Sequence, residues 1–256
     1  MTYKVIAFIL AYKNPPLKVI KCLKKQTLKP GKIVIVAAYP SACIDESDID
    51  CIVVPPPKDK LLTVGERIGI ALTIAFNTYN LENYDYFLKI DDDVEFNENF
   101  IEENIKAGYV LMGRGCAMII KVPWYLKIWG KTWPIATADD TSVVVSSIPF
   151  NSLPWKYVNS PKMLRPINAY FKRLWKAGYD LYRVGYPAIY LLKHAVIKLI
   201  RERDIQKIPV IMGYIAALIV KPRKRKQAEI VEKYMKKRLI NRLKKRVMSI
   251  ALKTST

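Results

Sequence analysis

The feature that most constrains the fold is an alternation of β-branched apolar runs with stretches of helical periodicity in the first half of the chain. KVIAFILAY, KIVIVAAY, CIVV and YDYFLKI have strand character, and LKVIKCLKKQ and LTVGERIGIALTIAFNTY between them have apolar residues at helical spacing. Strands separated by helices usually pair in parallel, because a parallel crossover needs a long connection. The sequence therefore predicts an α/β fold with a mixed, mainly parallel sheet flanked by helices.

Periodicity is weaker in the second half. VLMGRGCAMIIKV predicts two short strands, and residues 123–166 are rich in Trp, Pro, Ser and Asn, which predicts loops and short elements around a site. INAYFKRLWKAGYDLYRVG predicts a helix that ends at Gly178, followed by a strand. The apolar run from Ile208 to Val220 has 13 residues. Because a bilayer span needs roughly 20, this run predicts a buried or interfacial helix.

Charge is concentrated at the C-terminus. The 256 residues carry a formal charge of +21, and residues 221–256 hold 14 Lys/Arg against 2 acids, a net +12 that leaves +9 for the other 220 residues. A basic segment of this kind binds anionic lipids, nucleic acid or phosphorylated substrates. Its apolar residues form one helical stripe, which suits a membrane interface and equally an ordinary surface helix packed on the domain. The stripe comprises Val231, Met235, Leu239, Leu243 and Val247.

Length and cysteine usage limit the organisation further. A chain of this length, with 51% hydrophobic residues, buries a sizeable core, so we expect one α/β domain at residues 1–200 and a helical, basic extension at 201–256. The cysteines show no CxxC pair and no neighbouring histidines, which argues against a zinc site and a disulfide framework. We expect reduced, mostly buried thiols at Cys22, Cys43, Cys51 and Cys116.

The clearest candidate for chemistry is the carboxylate triplet Asp91-Asp92-Asp93, which directly follows an apolar strand. Ligands bind at the carboxyl ends of the strands in open α/β sheets. Carboxylates this close repel one another unless a cation compensates, and Mg²⁺ or Mn²⁺ takes oxygen ligands while leaving positions for diphosphate oxygens. The triplet alone is equally compatible with a solvated turn.

The surrounding segments add a family resemblance. Over roughly residues 3–194, AYKNP, KKQTLKP, KIVIV, GERIGIAL and YFLKIDDDVEF resemble glycosyltransferase family 2. That resemblance implies a GT-A type, Rossmann-like fold, a nucleotide-diphosphate sugar donor and a DxD-type metal motif. It implies Asp91 and Asp93 as metal and diphosphate ligands and Asp92 beside the ribose or sugar.

Donor contacts follow from the same resemblance and from charge. Members of the family usually carry an acid after the second strand to contact the nucleobase, whereas this chain has Ala37-Ala38-Tyr39. Tyr39 either stacks on the base or packs. Lys13, Arg67 and Lys89 lie on segments expected to face the donor and to offset its diphosphate charge. We therefore predict donor binding by Ala11, Tyr12, Lys13, Tyr39, Arg67, Asp91 and Asp92.

A second acidic pair, Asp139-Asp140, resembles the family's Glu-Asp motif, in which the second acid is the base. An inverting transfer needs a base that takes the proton of the attacking acceptor hydroxyl. The resemblance implies Asp140 as that base and Asp139 as its orienting neighbour; a helix start with first-turn acids is the alternative. His194 closes GYPAIYLLKH, which resembles the family's last core strand, and it either completes the metal site or packs at a strand end.

The family resemblance implies a metal-dependent, inverting glycosyltransferase with a lipid-linked or protein glycan as acceptor. The apolar run from Ile208 to Val220 and the basic tail add the expectation that it is peripheral on the cytoplasmic face of a membrane. One alternative is a nucleotidyltransferase, although AYKNPP has no glycine and such enzymes usually carry a glycine-rich phosphate loop. Another is a nucleic-acid-binding protein, although the chain shows neither an RNP-like nor a helix-turn-helix signature. A non-catalytic relative is the third.

Overall fold

The computed structural model describes residues 3–56, 62–136, 139–150, 161–163, 171–202, 205, 207–224, 228–237 and 240–241. The chain divides into two compact units, Met1–Ala169 and Tyr170–Thr256. The division describes how compactly the backbone packs and does not test the predicted domain boundary at residue 200, which stays a prediction.

The first unit contains eight strands and five helices among its described residues. The strands are β1 (Val5–Ala11), β2 (Lys32–Ala37), β3 (Ile49–Val53), β4 (Tyr86–Asp91), β5 (Val94–Glu95), β6 (Leu111–Arg114), β7 (Ala117–Lys121) and β8 (Lys162–Met163). The helices are α1 (Leu17–Lys24), α2 (Val64–Thr78), α3 (Phe100–Lys106), α4 (Val122–Trp129) and α5 (Asp139–Ser147).

Six strands form one sheet in the order β3-β2-β1-β4-β7-β6, and β5 pairs with β8. Strands β3, β2, β1 and β4 are parallel, whereas β7 is antiparallel to both β4 and β6. In register, Ala11 of β1 lies opposite Ala37, and Leu10 lies opposite Asp91. The ends of three neighbouring strands therefore meet at one edge. This confirms the predicted fold class, a Rossmann-like, mainly parallel sheet flanked by helices.

Each face of the sheet packs into its own apolar core. One core joins Ile9 and Leu88 to the buried side of α1 and to Phe100 of α3. The other joins Phe8 and Phe87 to α2, α4 and α5. The near-continuous apolar runs of β1, β2 and β4 follow from this arrangement, because a parallel sheet is covered on both faces.

Helix α2 begins with a capping box. The Thr63 hydroxyl accepts a hydrogen bond from the Glu66 backbone N–H, and the Glu66 carboxylate accepts one from the Thr63 backbone N–H at 2.7 Å. The box satisfies two of the amide groups that a helix start leaves without partners. It fixes the first turn of α2, which carries Arg67.

Residues 123–166 are predicted to form loops and short elements around a site, and the described part of this range contains the short helices α4 and α5. Pro123 lies in the first turn of α4, where a missing N–H costs no helical bond. Trp124, Tyr125 and Trp129 of α4 are buried in the core. These three aromatic side chains therefore serve packing.

The second unit contains helices α6 (Phe171–Arg183), α7 (Ala188–Glu202) and α8 (Lys207–Val220). Helix α6 does not end at Gly178, contrary to prediction. A Cβ on Gly178 would lie 1.9 Å from the carbonyl oxygen of Val210, so this glycine permits close packing against α8. Gly185, with φ +77°, follows the actual helix end. GYPAIYLLKH lies largely in α7, so the predicted strand ending at His194 is wrong.

The basic C-terminal segment is helical at residues 228–237. Val231 and Met235 of the predicted stripe are buried, as is Ala228, which approaches Gly185. This part of the stripe packs within the second unit; Leu239, Leu243 and Val247 lie outside the described residues. Among the described helices, none has the length and apolarity to span a membrane.

The prediction of four reduced thiols was wrong at two positions. Cys43 and Cys51 form a disulfide with a Cα–Cα distance of 5.7 Å, while Cys22 and Cys116 are free and half-buried. The connection from β2 to β3 folds back through a short 3₁₀ turn and brings Cys43 beside β3. No sequence motif such as CxxC predicts this pairing, because the pairing depends on the path of the connecting loop.

Candidate functional site

A cavity of about 440 Å³ opens where the carboxyl ends of β1, β2 and β4 meet. Parallel strands place their last residues at the same edge, so Ala11, Ala37 and Asp91 lie together although they are far apart in sequence. The cavity is lined by Leu10, Ala11, Tyr12, Val36, Ala37, Ala38, Val54, Pro55, Pro56, Val64, Arg67, Ile68, Ala71, Asp91, Asp92 and Asp93.

Among the described residues that line this cavity, charge occurs in two places. Most of the wall is apolar, while Asp91, Asp92 and Asp93 form one acidic side and Arg67 projects from α2. The Nε atom of Arg67 is buried and has no hydrogen-bond partner in the structure described. A buried donor of this kind is costly unless a ligand satisfies it. The cavity can therefore hold a flat apolar group along its wall and an anionic group near Arg67.

Three predicted donor residues form a cluster at the cavity mouth. The Tyr12 ring, half exposed, lies edge-on to the Tyr39 ring with centroids 5.2 Å apart. The Lys13 Nζ atom lies 5.6 Å from the Tyr12 centroid and 5.3 Å from the Tyr39 centroid. These are cation–π distances. Tyr12 lines the cavity, whereas Tyr39 and Lys13 contact Tyr12 and are not among the lining residues.

Lys89, which was predicted to face the donor, does not line the cavity. It lies on β4, in the middle of the sheet, and only 4% of its side chain is exposed. Its Nζ atom donates to Asp91 Oδ1 at 2.6 Å and to the Gly115 carbonyl oxygen at 2.9 Å. Burial opposes the charged form, but the carboxylates of Asp91, Asp139 and Asp140 outweigh it and raise the pKa of Lys89. The lysine is a buried cation among carboxylates.

Asp139 and Asp140 lie in the first turn of α5, so the helix-start alternative holds for their local structure. Asp139 is 6% exposed and accepts a hydrogen bond from Trp133 Nε1 at 2.7 Å. Its burial, followed by the charge of Asp140, raises the pKa of Asp139 to about 7. Asp140 is half-buried, and its Oδ1 accepts from the Thr141 backbone N–H at 2.7 Å.

Electrostatics and packing join the two acidic groups. Burial raises the pKa of Asp91, Lys89 opposes the shift, and the charges of Asp140 and Asp93 add to it. A Cβ built on Gly115 would lie 3.3 Å from Asp140 Oδ2, so Asp140 packs against the turn between β6 and β7. The Asp91 backbone N–H donates to the Cys116 carbonyl oxygen of the same turn at 2.7 Å. The two acidic motifs therefore lie close together, with the Asp91–Asp93 triplet lining the cavity and Asp140 packed against the neighbouring turn.

Two carboxylates at the cavity could serve as ligands of a divalent cation. Among the described residues, no group of three or more His, Cys, Asp or Glu side chains is placed to hold a metal ion. Asp91 and Asp93 offer hard oxygen donors at the cavity, and Mg²⁺ is commonly held by one or two carboxylates together with substrate phosphates. His194 belongs to α7 of the second unit, and its side chain lies outside the described part of the structure.

Of the predicted residues, Ala11, Tyr12, Arg67 and the Asp91–Asp93 triplet meet in one cavity, as the strand-end argument requires. Sequence reasoning missed Trp133 as the hydrogen-bond partner of Asp139 and the burial of Lys89. A signal existed for Lys89: Phe87, Lys89 and Asp91 alternate along β4, so they share one face of a sheet covered on both sides. No sequence pattern indicates the Trp133 contact.

Comparisons with known proteins give structural matches but no sequence matches. No protein-family model matches the chain, and no curated protein sequence matches it. Solved structures do match, among them the crystal structure of TarS from S. aureus, with 11% sequence identity and a TM-score of 0.49. The match covers 90% of this chain and 55% of the TarS chain, so this chain spans about half of that protein's length. Similarity at this level assigns neither a family nor an activity.

Proposed function

We propose that this chain is a GT-A type glycosyltransferase, similar to family 2, that transfers a sugar from a nucleotide-diphosphate sugar to an acceptor with inversion. The observation that carries the proposal is the proximity of two acidic motifs at the end of β4, one of which lines the cavity. Asp91–Asp93 and Arg67 line the cavity, and Asp139 and Asp140 act on the same buried lysine as Asp91. One motif serves the donor and the other serves the acceptor.

The donor's nucleoside packs along the apolar wall, and its diphosphate lies near Arg67. Ala37 and Ala38 take the position of the family's base-contacting acid, so base recognition relies on shape and backbone groups. Tyr12 and Tyr39 at the mouth provide aromatic surface, and Lys13 above them provides a cation. A bidentate guanidinium suits phosphate oxygens, which satisfies the buried Nε of Arg67.

Asp91 and Asp93 would hold Mg²⁺ or Mn²⁺ together with the diphosphate oxygens. The ion, when bound, neutralises charge that develops on the departing nucleotide. One oxygen of Asp91 already accepts from Lys89, which leaves Oδ2 for this role. Asp93 lines the cavity two residues further on.

Asp140 takes the proton of the acceptor hydroxyl as that hydroxyl attacks the anomeric carbon. Its Oδ1 is oriented by the Thr141 N–H, while Oδ2 approaches Gly115 in the turn that also contacts Asp91. Asp139 is buried and accepts a hydrogen bond from Trp133, which is also buried. Asp139 therefore orients the Asp139–Asp140 pair and changes the local charge beside Asp140, the base. The acceptor we propose is a lipid-linked or protein glycan.

We place the enzyme at a membrane surface through α8. Ile208, Met212, Ile215 and Ile219 are 44–75% exposed and follow one another at helical spacing, while Gly213 on the opposite face packs against α6. Exposed Lys221, Arg223 and Lys224 follow directly. An apolar stripe beside cations fits an anionic lipid interface. This assigns lipid contact to α8, because the described part of the C-terminal stripe is packed within the unit.

Vesicle sedimentation tests the lipid contact. Exchanging Met212 and Ile215 for Ser should reduce sedimentation with phosphatidylserine vesicles by about tenfold, whereas Ile74→Ser, an exposed apolar side chain on α2, should not change it. Equal binding of both variants and the wild type would remove α8 from the proposal.

We propose that the enzyme lies on the cytoplasmic face of the membrane. The redox state of Cys43 and Cys51 tests this location. Disulfides persist in oxidising compartments and are rare in the cytosol. Trapping thiols with an alkylating reagent in intact cells before lysis measures their state there. Four alkylated cysteines support a cytosolic enzyme, and two argue for an oxidising compartment.

A donor panel tests the activity. Release of nucleoside diphosphate from UDP-, GDP- and CDP-linked sugars, with MnCl₂ or EDTA, is compared among the wild type, Asp93→Ala, Asp140→Ala and the exposed control Asp45→Ala. We expect one donor to turn over with metal, the first two variants to lose about 100-fold or more, and the control to keep wild-type rates. A product with retained anomeric configuration would contradict the role of Asp140. Release of pyrophosphate would indicate a nucleotidyltransferase.

A further inference from the structure

A charged lysine in the middle of a core sheet requires an explanation. Lys89 pairs in register with Phe8 on one side and Met118 on the other, and both neighbours belong to an apolar core. An ammonium group at such a position loses its hydration, which costs several kcal/mol unless anions replace the water. A methionine of similar length would fill the same space without that cost. Packing alone therefore does not account for Lys89.

Its contacts reach both acidic motifs. On the donor side, Nζ binds Asp91 Oδ1 at 2.6 Å. On the acceptor side, Nζ binds the Gly115 carbonyl oxygen at 2.9 Å, and Gly115 lies against Asp140. The buried carboxyl of Asp139 acts on the same ammonium group.

We propose that Lys89 is a positioning residue: its buried ammonium group orients the Asp91 carboxylate and the Gly115 turn and so keeps the donor-side and acceptor-side carboxylates in one site. Without this cation, the carboxylates would repel one another across a space that excludes water. Helix α5 or the β6–β7 turn would then move apart from the end of β4. The effect of Lys89 on sugar transfer rests on the proposed function. Its effect on the positions of the carboxylates does not depend on catalysis.

A double-mutant cycle tests the structural part. Lys89→Met keeps the volume and removes the charge, and Asp139→Asn, compared at pH 8 where Asp139 is ionised, removes one buried carboxylate while keeping an acceptor for Trp133. Breaking a buried pair on one side is costly, so Lys89→Met alone should lower the urea midpoint by about 1 M or more. In the Asp139→Asn background the same substitution should lower it by less than half as much.

The matched control is Lys32→Met, which removes an ion pair of the same length, 2.6 Å, to the partly exposed Asp50. Exposed pairs contribute little, so its midpoint should change by less than about 0.3 M. Additive effects of Lys89→Met and Asp139→Asn, or a Lys89→Met effect no larger than that of the control, would overturn the proposal.

Two functional readouts separate positioning from general destabilisation. Titration calorimetry with UDP or GDP and MnCl₂ measures the number of nucleotides bound per chain, and so the fraction of chains with a formed cavity. Lys89 itself does not line that cavity. We expect about one nucleotide per chain in Lys89→Met and a sugar-transfer rate lowered about 100-fold, because small displacements of reacting groups cost this much. Transfer within about threefold of wild type would refute the positioning role. If the wild type transfers no sugar at all, the proposed function fails, and the urea cycle alone decides whether Lys89 holds the carboxylates.

Discussion

Replacing Asp139 by Asn should make the protein's stability less dependent on pH. Asp139 is 6% exposed, and Asn has the same shape and can accept the same hydrogen bond from Trp133. The substitution therefore removes one ionisable group with little change in packing. Asp140 and Lys89 are the charged groups that act on it.

The magnitude follows from the pKa of Asp139, which rises from 3.8 to about 7 in the folded protein. Between these two values the folded state holds a proton that the unfolded state has released. Wild-type stability therefore falls as pH rises through this window and levels off above about pH 7. At about 1.4 kcal/mol for each unit of pKa, the full effect is about 4 kcal/mol, of which somewhat more than half, about 2 to 3 kcal/mol, falls between pH 5 and pH 8.

Urea unfolding of both proteins at pH 5, 6, 7 and 8, with EDTA present, measures this difference. We expect Asp139→Asn to gain about 2 to 3 kcal/mol relative to the wild type over that range. Asp50→Asn is the control, because hydrogen bonds from Lys32 and then Tyr79 lower the pKa of Asp50 below the window. Its difference from the wild type should stay constant. A constant difference for Asp139→Asn as well would refute the assignment of a buried, proton-holding carboxyl.

Three further predictions concern packing and redox state. Gly69→Ala should lower the free energy of unfolding by about 2 kcal/mol, measured with urea, because its Cβ would lie 2.5 Å from the Pro134 carbonyl oxygen; an unchanged value would contradict the close approach of α2 to that segment. Gly178→Ala should cost about 3 kcal/mol in the same assay, because its Cβ would lie 1.9 Å from the Val210 oxygen, and a wild-type midpoint would argue against the crossing of α6 and α8. Purified, unreduced protein in denaturant should show two reactive thiols, and four after reduction; four before reduction would exclude the Cys43–Cys51 bond.

The apolar patterning of the chain was sufficient to predict the sheet and the edge at which the cavity lies. Runs such as VIAFILA and YFLKID are buried on both faces, and that continuity identifies parallel strands without knowledge of their partners. Once the strands are parallel, Ala11 and Asp91 must end at the same edge. The cavity and its acidic side follow from local sequence and one topological rule.

The tertiary structure alone decided the contacts between distant segments. Lys89 is buried because β7 and the Gly115 turn cover it, and Asp139 meets Trp133 because α5 packs against the preceding segment. Gly178 continues a helix because α8 crosses there, whereas the local signal for a glycine is a helix end. Periodicity records which face of an element is apolar. Which polar groups meet inside the fold depends on three-dimensional packing, and here that packing brings the lysine and the two acidic motifs together.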